Sequence, residues 1–275
     1  MPAIDDLRDL LGRQLQTIER TEAGVRNGGD PEDLHRFRVA TRRSRALIRA
    51  SRPLVRDQLS TLDRELRWLG GVSGPVRDLD VLIDHLRSLV DDLDPDQAGA
   101  EAIIAGLERE RLKQREALLE AMGTQRFRDL HGRFEEALST LRVRDAGVSL
   151  AGLARRELER LRSDYADLGD HPADEDLHAV RIRAKHARYA AELAALAEGG
   201  EPLAALAESL RDIQDLIGTH QDAVVAEQRV RAMAADGSRL AAGRIVEHER
   251  KRKRKARREL PEVWKRVERA AEKAF

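Results

Sequence analysis

The sequence repeats itself after about 143 residues, and this repeat constrains the fold more than any other feature. The tetrapeptide Glu-Asp-Leu-His at 32–35 recurs at 175–178. On both sides of it, apolar and basic residues of the first copy correspond in sequence to similar residues of the second. The pairs are Leu7 and Leu150, Leu10 and Leu153, Leu15 and Leu158, Ile18 and Leu161, Arg38 and Arg181, Val39 and Ile182, Arg42 and Lys185, Arg45 and Arg188, and, one residue further on, Arg67 and Arg211, Gly74 and Gly218, and Asp78 and Asp222. We therefore predict one domain, 1–275, made of two copies at about 1–143 and 147–275.

Each copy has the pattern of consecutive α-helices. Apolar residues recur at spacings of three and four, and no stretch shows sustained period-two alternation. Glycine and proline predict the ends of helices at 27–29, Pro53, 70–75, 91–97 and 123–124, while Asp30 and Pro31 predict the start of the second helix. We expect an all-α fold with about six helices in each half. A pseudo-twofold relation between the two helical-bundle halves would place both around one central groove or cavity.

The stretch 34–56 contains eight arginines and one histidine but no acidic residue. On a helix, the spacing of three and four from His35 to Arg52 forms one stripe about 25 Å long. Each guanidinium is a permanent cation with a planar donor fork that matches phosphate oxygens, so the stripe predicts binding of a long polyanion. A basic helix face is otherwise usually only solvated. Its recurrence in the second copy favours binding.

Composition excludes several other classes of function. The formal net charge is zero, yet charge is segregated, because 78–96 contains seven aspartates. The absence of cysteine excludes disulfides, thiolate zinc sites and cysteine nucleophiles, and neither a glycine-rich phosphate loop nor an HExxH pair occurs. Asp78 and Asp80 could hold magnesium, but we expect Asp78 and Asp222 to cap a helix or pair with an arginine. We predict a binding module, not an enzyme, with no cofactor and no metal.

The first residues contain Asp5, Asp6 and Asp9, unlike a secretory signal, and no uncharged run approaches the ~18 residues of a membrane span. A cytoplasmic protein without a membrane partner is therefore expected.

Several motifs together resemble the CHAD domain, the conserved histidine α-helical domain. They are His-x-x-Arg-Val-x-x-Arg-Arg-x-Arg at 35–45, Leu-Gly at 69–70, Gly-Pro-Val-Arg-Asp-Leu-Asp-Val-Leu at 74–82, and, in the second copy, His-x-x-Arg-Ile-x-x-Lys-x-x-Arg-Tyr at 178–189 with Leu-Ile-Gly at 216–218. The resemblance covers essentially the whole chain, without a fused CYTH domain. It implies two helical-bundle halves around a basic cavity and members that bind inorganic polyphosphate and can localise to polyphosphate granules.

By this resemblance, a set of basic residues would line the cavity. The predicted polyphosphate-binding residues are His35, Arg38, Arg42, Arg43, Arg45, Arg49, His178, Arg181, Lys185 and Arg188, with Arg67 and Arg211 as a second tier. The second stripe is expected to be weaker, because His186 stands in place of Arg43 and Glu192 in place of Arg49. The two histidines could contact phosphate or pack against a neighbouring helix, and contact would strengthen binding as the pH falls toward ~6.5.

Two alternative functions use the same electrostatics. An RNA- or DNA-binding protein is the first, although Phe37 is the only aromatic residue in the first stripe, which leaves little for base stacking. We expect nucleic acid to act only as a non-specific competitor. A metal-dependent polyphosphatase is the second. The basic run 250–258 is interpreted mainly as a solvated helix face or a general nucleic-acid patch, and any of its residues that face the groove would add contacts there.

The stretch Glu247-x-Glu249-x-Lys251 matches the ExExK signature of CYTH or triphosphate-tunnel enzymes. We reject that interpretation, because successive members would point about 200° apart on a helix.

Overall fold

Nine α-helices and three short 3₁₀ segments make up residues 2–144 and 149–275, which are the residues that this computed structural model describes, with side chains from residue 4 onward. No strand occurs in these ranges, so the all-α prediction is confirmed. The helices are α1 Pro2–Asn27, α2 Pro31–Val55, α3 Ser60–Arg87, α4 Gln97–Met122, α5 Gln125–Thr140, α6 Leu150–Ala166, α7 Asp174–Glu198, α8 Glu201–Met233 and α9 Arg239–Ala274. The predicted boundary between the copies falls largely in 145–148, outside the described residues.

The helix α2 starts as the sequence predicts. The Asp30 side chain accepts a hydrogen bond from the Glu32 backbone N at 2.8 Å, and Pro31 occupies the first turn. At its other end the helix continues two residues beyond Pro53, to Val55.

The predicted joint at 70–75 is wrong, because α3 runs through it without a break. Gly74 is buried against the side chain of Arg38, and a Cβ atom there would lie 2.8 Å from Arg38 Nη1. The glycine therefore permits a close approach and does not make a turn. Pro75 is tolerated since the carbonyl that loses its partner belongs to Gly71, an exposed residue that water can hydrate. Its counterpart α8 likewise runs through Gly218.

Continuous α3 and α8 explain why the described residues contain five helices in the first copy and four in the second, and not about six in each. Within each copy, successive helices pack on one another, from α1 to α4 and from α6 to α9. The copies are joined mainly by contacts of α2 with α7 and of α4 with α9, and also by contacts of α1 with α7 and of α4 with α8. A pseudo-twofold relation between the halves remains a prediction.

The apolar residues form two clusters, and each cluster draws on both copies. The larger one includes α1, α2, α5, α6 and α7, while the smaller one joins the last turns of α3 to α4, α8 and α9. The helix α3 passes from the larger cluster at Val76 to the smaller one at Leu79. Asp78 lies at this junction, beside the basic helices.

Candidate functional site

The two helices that carry the basic stripes, α2 and α7, lie side by side. Arg43, at the middle of α2, lines a cavity of about 280 Å³ with Tyr189 and Glu192, which lie in the second half of α7. Arg49, further along α2, lines a second cavity with His186, which comes earlier in α7. The helices therefore run in opposite directions, and this arrangement brings residues of both stripes together.

Lys185 shows where the two stripes meet. Partial burial of its ammonium group and the positive charges of neighbouring arginines lower the pKa of Lys185 to about 8. Those arginines come from both helices, in descending order of effect Arg42, Arg181, Arg49 and Arg45. Charges repel strongly only at short range in a solvated protein, so Lys185 lies where the two stripes come close together.

Five cations of this region form no ion pair with any described residue, and we call them the free-cation cluster. Its members are Arg42, Arg49, Arg77, Arg181 and Lys185. The Nε atoms of Arg77 and Arg181 are buried and have no hydrogen-bond acceptor among the described residues. A cluster of cations with unused donors is unfavourable by itself, and an anion with many oxygens would relieve both costs.

Two carboxylates neutralise most of the other predicted residues. Asp63 of α3 pairs with Arg45 at 3.0 Å and with Arg67 at 3.3 Å. Glu192 of α7 accepts a hydrogen bond from Arg188 Nη1 at 2.8 Å. Glu192 also lies 3.7 Å from both Arg43 and Arg211.

Arg188 is the most constrained of these residues. Its Nε donates to Gln214 Oε1 at 3.1 Å, and its guanidinium lies 4.2 Å from the centre of the Tyr189 ring. The side chain is only 11% exposed. A direct contact of Arg188 with an anion would require these bonds to rearrange.

The two predicted histidines have different surroundings. His35 is half-buried, and desolvation lowers its pKa, as do the charges of Arg77, Arg42 and Arg38, while Glu32 opposes them. His35 also lines a cleft of about 680 Å³ between α1 and α2. His178 is exposed and has no hydrogen bond to a described residue.

Asp78 and Asp222 lie in the interiors of α3 and α8, so the predicted capping role is wrong, whereas pairing with an arginine is confirmed for Asp78. Arg38 Nη2 donates to Asp78 Oδ1 at 3.2 Å. Desolvation raises the pKa of Asp222 against the attraction of Arg181 and Arg252. Asp80 does not converge with Asp78, because it is buried and pairs with Arg111.

Sequence reasoning did not select Arg77 or Arg252 as site residues. Arg77 is part of the motif at 74–82, but its counterpart Gln221 is neutral, which argued against it. Arg252 comes from the basic run on α9 and lies close enough to Asp222 to lower its pKa. Only the packing of α9 against α8 reveals this contact.

The basic run on α9, Arg252 included, is largely neutralised by carboxylates. Glu227 accepts from Lys253 at 2.8 Å and from Arg250 at 3.2 Å. Burial opposes ionisation of Glu227, but hydrogen bonds from Lys253 and Arg231 lower its pKa to about 2. The other pairs are Arg252 with Glu249, Arg254 with Glu247, Lys255 with Glu259 and Arg257 with Asp174.

None of the helices in the described ranges is long and apolar enough to cross a membrane.

Comparison with known proteins gives three findings. The model of the CHAD domain family matches residues 9–231. Two curated proteins of Mycobacterium tuberculosis, uncharacterized protein MT2285 of strain CDC 1551 / Oshkosh and uncharacterized protein Rv2226 of strain H37Rv, are each 28% identical to this chain. Each match covers 99% of this chain and 55% of the relative, so the chain spans about half the length of these relatives.

Two solved structures share the fold. PptA from Streptomyces chartreusis superposes with a TM-score of 0.74 at 22% identity, over 96% of this chain and 100% of that one. The CHAD domain from the plant Ricinus communis has a TM-score of 0.74 at 24% identity, over 98% of this chain and 92% of that one.

Proposed function

This chain belongs to the CHAD domain family, and we propose that it binds inorganic polyphosphate between α2 and α7 without altering it chemically. The observation that carries the proposal is the free-cation cluster, to which both basic helices contribute. Arg42, Arg49 and Arg181 are each near enough to repel Lys185, and none of these four cations lies within ion-pair distance of a described carboxylate. Asp63 attracts Arg49, and Asp222 attracts Arg181, only from beyond that distance.

Polyphosphate suits such a cluster because it has about one negative charge for each phosphoryl unit along a flexible chain. Each cation gains a charge-assisted hydrogen bond, and the release of condensed counterions adds to the affinity. Binding should therefore weaken steeply as salt increases. Bound polyanion should also stabilise the fold, since it removes repulsion among the cations.

Burial of the local aromatic residues favours inorganic polyphosphate over RNA. Phe37 is fully buried in α2, and Tyr189 of α7 is 4% exposed. Neither ring is available to stack on a nucleotide base, and base stacking supplies much of the affinity for single strands. Nucleic acid would compete through its phosphates alone. Association with polyphosphate granules would follow from the same binding.

The decisive experiment compares two triple variants that lose the same charge. Arg42→Ala, Arg49→Ala and Lys185→Ala remove free cations from the groove, whereas Arg250→Ala, Arg254→Ala and Lys255→Ala remove paired cations from α9. With fluorescently labelled polyphosphate, the groove variant should lose roughly 100-fold or more in affinity, at ~1.5 kcal/mol for each charge-assisted contact. The α9 variant should remain within a few-fold of the native chain. Equal losses would mean general electrostatic attraction and would overturn the proposal.

Competition and incubation assays separate the alternatives. At fixed salt, polyphosphate should displace labelled RNA at a far lower phosphate concentration than RNA displaces polyphosphate, and the reverse order would favour a nucleic-acid function. Incubation with Mg²⁺ should leave the length of polyphosphate unchanged on a gel, because we propose a binding module and not a polyphosphatase.

A further inference from the structure

A compact group of metal-ligating side chains lies between α3 and α9. His85 Nε2 lies 2.6 Å from Glu249 Oε1, and His248 Nδ1 lies 3.2 Å from the same oxygen. One ligand atom from each of the three residues falls within 4.8 Å of the others. Around a tetrahedral zinc ion such atoms would be about 3.4 Å apart, given bonds of ~2.1 Å, so modest shifts of the side chains would bring all three to one centre.

We propose that His85, His248 and Glu249 bind a transition-metal dication of the zinc class. Two imidazole nitrogens and one carboxylate oxygen are a ligand set that zinc uses when a fourth position is left for water or another ligand. The proposal does not rest on polyphosphate binding, because none of the three ligands belongs to the free-cation cluster. The two sites are nevertheless neighbours, since the charges of His85, Arg252 and Arg181 all act on Asp222.

Burial makes Glu249 the ligand with the greatest need of a nearby cation. Its side chain is completely buried, and an ionised carboxylate in that environment requires a cation close by. Arg252 fulfils that role in the structure, with Nη1 2.7 Å from Glu249 Oε2. The two histidine side chains are 22% and 44% exposed, which gives a metal ion a route from solvent.

The hydrogen bonds around His85 cannot all form at once. Nε2 lies 2.6 Å from Glu249 Oε1, which can only accept when ionised, and 2.9 Å from Arg252 Nη1, which can only donate. A single ring nitrogen cannot be donor and acceptor together. A metal ion would use the lone pairs of both Nε2 and Oε1, while Arg252 could keep its bond to the second oxygen of Glu249. Coordination requires neutral histidines, so any proton on His85 is released to solvent.

The helical phase of α9 explains why the ExExK interpretation misses this site. Glu247 is exposed and pairs with Arg254 on the outer face, whereas Glu249 points inward to His85. The position that corresponds to His85 in the second copy is Arg229, so the internal repeat does not produce a second copy of this site.

The test uses the full chain, treated with a chelator and kept free of polyphosphate, which would itself bind metal. Added Co²⁺ should give saturable visible d–d absorption with one ion per chain, and Zn²⁺ should abolish it. His248→Ala removes a half-exposed ligand and should weaken Zn²⁺ binding at least ~10-fold by calorimetry, since even outer partners of metal ligands contribute that much. His131→Ala is the matched control, because His131 is 49% exposed and also lies beside carboxylates, those of Glu19 and Glu135, but away from α3 and α9, so its loss should not affect binding.

A second variant tests the site through stability. Arg252→Met removes the cation beside Glu249, so this variant should melt at a lower temperature than the native chain in chelator and recover when Zn²⁺ is added. Absence of saturable binding by the native chain, or equal effects of His248→Ala and His131→Ala, would overturn the proposal. A melting temperature of Arg252→Met that does not respond to Zn²⁺ would do the same. The three residues would then form only a hydrogen-bonded network with Arg252.

Discussion

Arg43 of α2 and Glu192 of α7 form an ion pair across the two basic helices, with Nη2 3.7 Å from Oε2. The same carboxylate accepts a hydrogen bond from Arg188 and lies near Arg211. Its side chain is only 13% exposed. One acidic residue, in the position that Arg49 has in the first copy, thus offsets the charge of three arginines that would otherwise be available to an anion.

Replacement of Glu192 by Gln should therefore raise the affinity for polyphosphate by about 10-fold, since one strong contact to a charged group contributes ~1.5 kcal/mol. The slope of log affinity against log salt should become steeper, because more cations take part. The free energy of unfolding without ligand should fall by roughly 1–3 kcal/mol at low salt. Anisotropy titrations over a salt series and urea denaturation measure the two effects. Glu262→Gln is the control, since Glu262 is exposed and pairs with Lys265, away from α2 and α7. An unchanged affinity in Glu192→Gln would contradict the prediction.

Lys185 should link both stability and binding to pH. Its pKa is about 8 in the folded chain against 10.5 as a free side chain, so the unfolded state binds the proton more tightly. Native stability without ligand should therefore rise as the pH increases from about 8 to 10.5. Lys185→Met should melt at a higher temperature than the native chain below pH 8, and this advantage should vanish above that range. Its affinity for polyphosphate should fall, because the ligand favours the charged lysine.

Melting curves of the ligand-free chain across this pH range measure the effect. Lys265→Met serves as the reference, since Lys265 is 64% exposed and lies outside the groove. A pH dependence identical in the two variants would remove Lys185 from the explanation.

His35 should strengthen binding only at acidic pH. Desolvation and the charges of Arg77, Arg42 and Arg38 lower its pKa, so protonation begins below the ordinary value of 6.5. The sequence-based expectation of an effect near pH ~6.5 therefore moves to lower pH. Bound polyphosphate should raise the pKa again by offsetting the arginines. Histidine NMR titrations with and without ligand measure both shifts, and His35→Gln should remove the acidic increase in affinity.

The sequence predicts which side chains share a helix face better than it predicts which residues form ion pairs between helices. The spacing from His35 to Arg49 places these side chains on one face because helical phase is a local property. Which cations stay free depends on how α2 crosses α3 and α7, since that crossing puts Asp63 beside Arg45 and Glu192 beside Arg43. No local pattern encodes such contacts. The wrong joint at 70–75 has a similar origin, because the reason for Gly74 lies in the side chain of Arg38, more than thirty residues away.

The paired glycines Gly74 and Gly218 should respond differently to replacement by alanine. Alanine is favoured over glycine within a helix by ~1 kcal/mol. A Cβ atom at Gly218 would lie 3.4 Å from Arg181 Nε, an ordinary contact, so Gly218→Ala should stabilise the chain by about 0.5–1 kcal/mol. At Gly74 the Cβ atom would lie 2.8 Å from Arg38 Nη1 and would displace the guanidinium that bonds to Asp78. Gly74→Ala should therefore give little or no stabilisation.

A double-mutant cycle isolates the cause of this difference. In an Arg38→Ala background the obstacle is gone, so Gly74→Ala should stabilise the chain about as much as Gly218→Ala stabilises the native one. Urea denaturation of the four variants gives the coupling energy between the two positions. A coupling near zero would mean that Arg38 does not lie against α3 at Gly74. The close approach that explains the unbroken helix at 70–75, and with it the place of Arg38 at the edge of the free-cation cluster, would then be wrong.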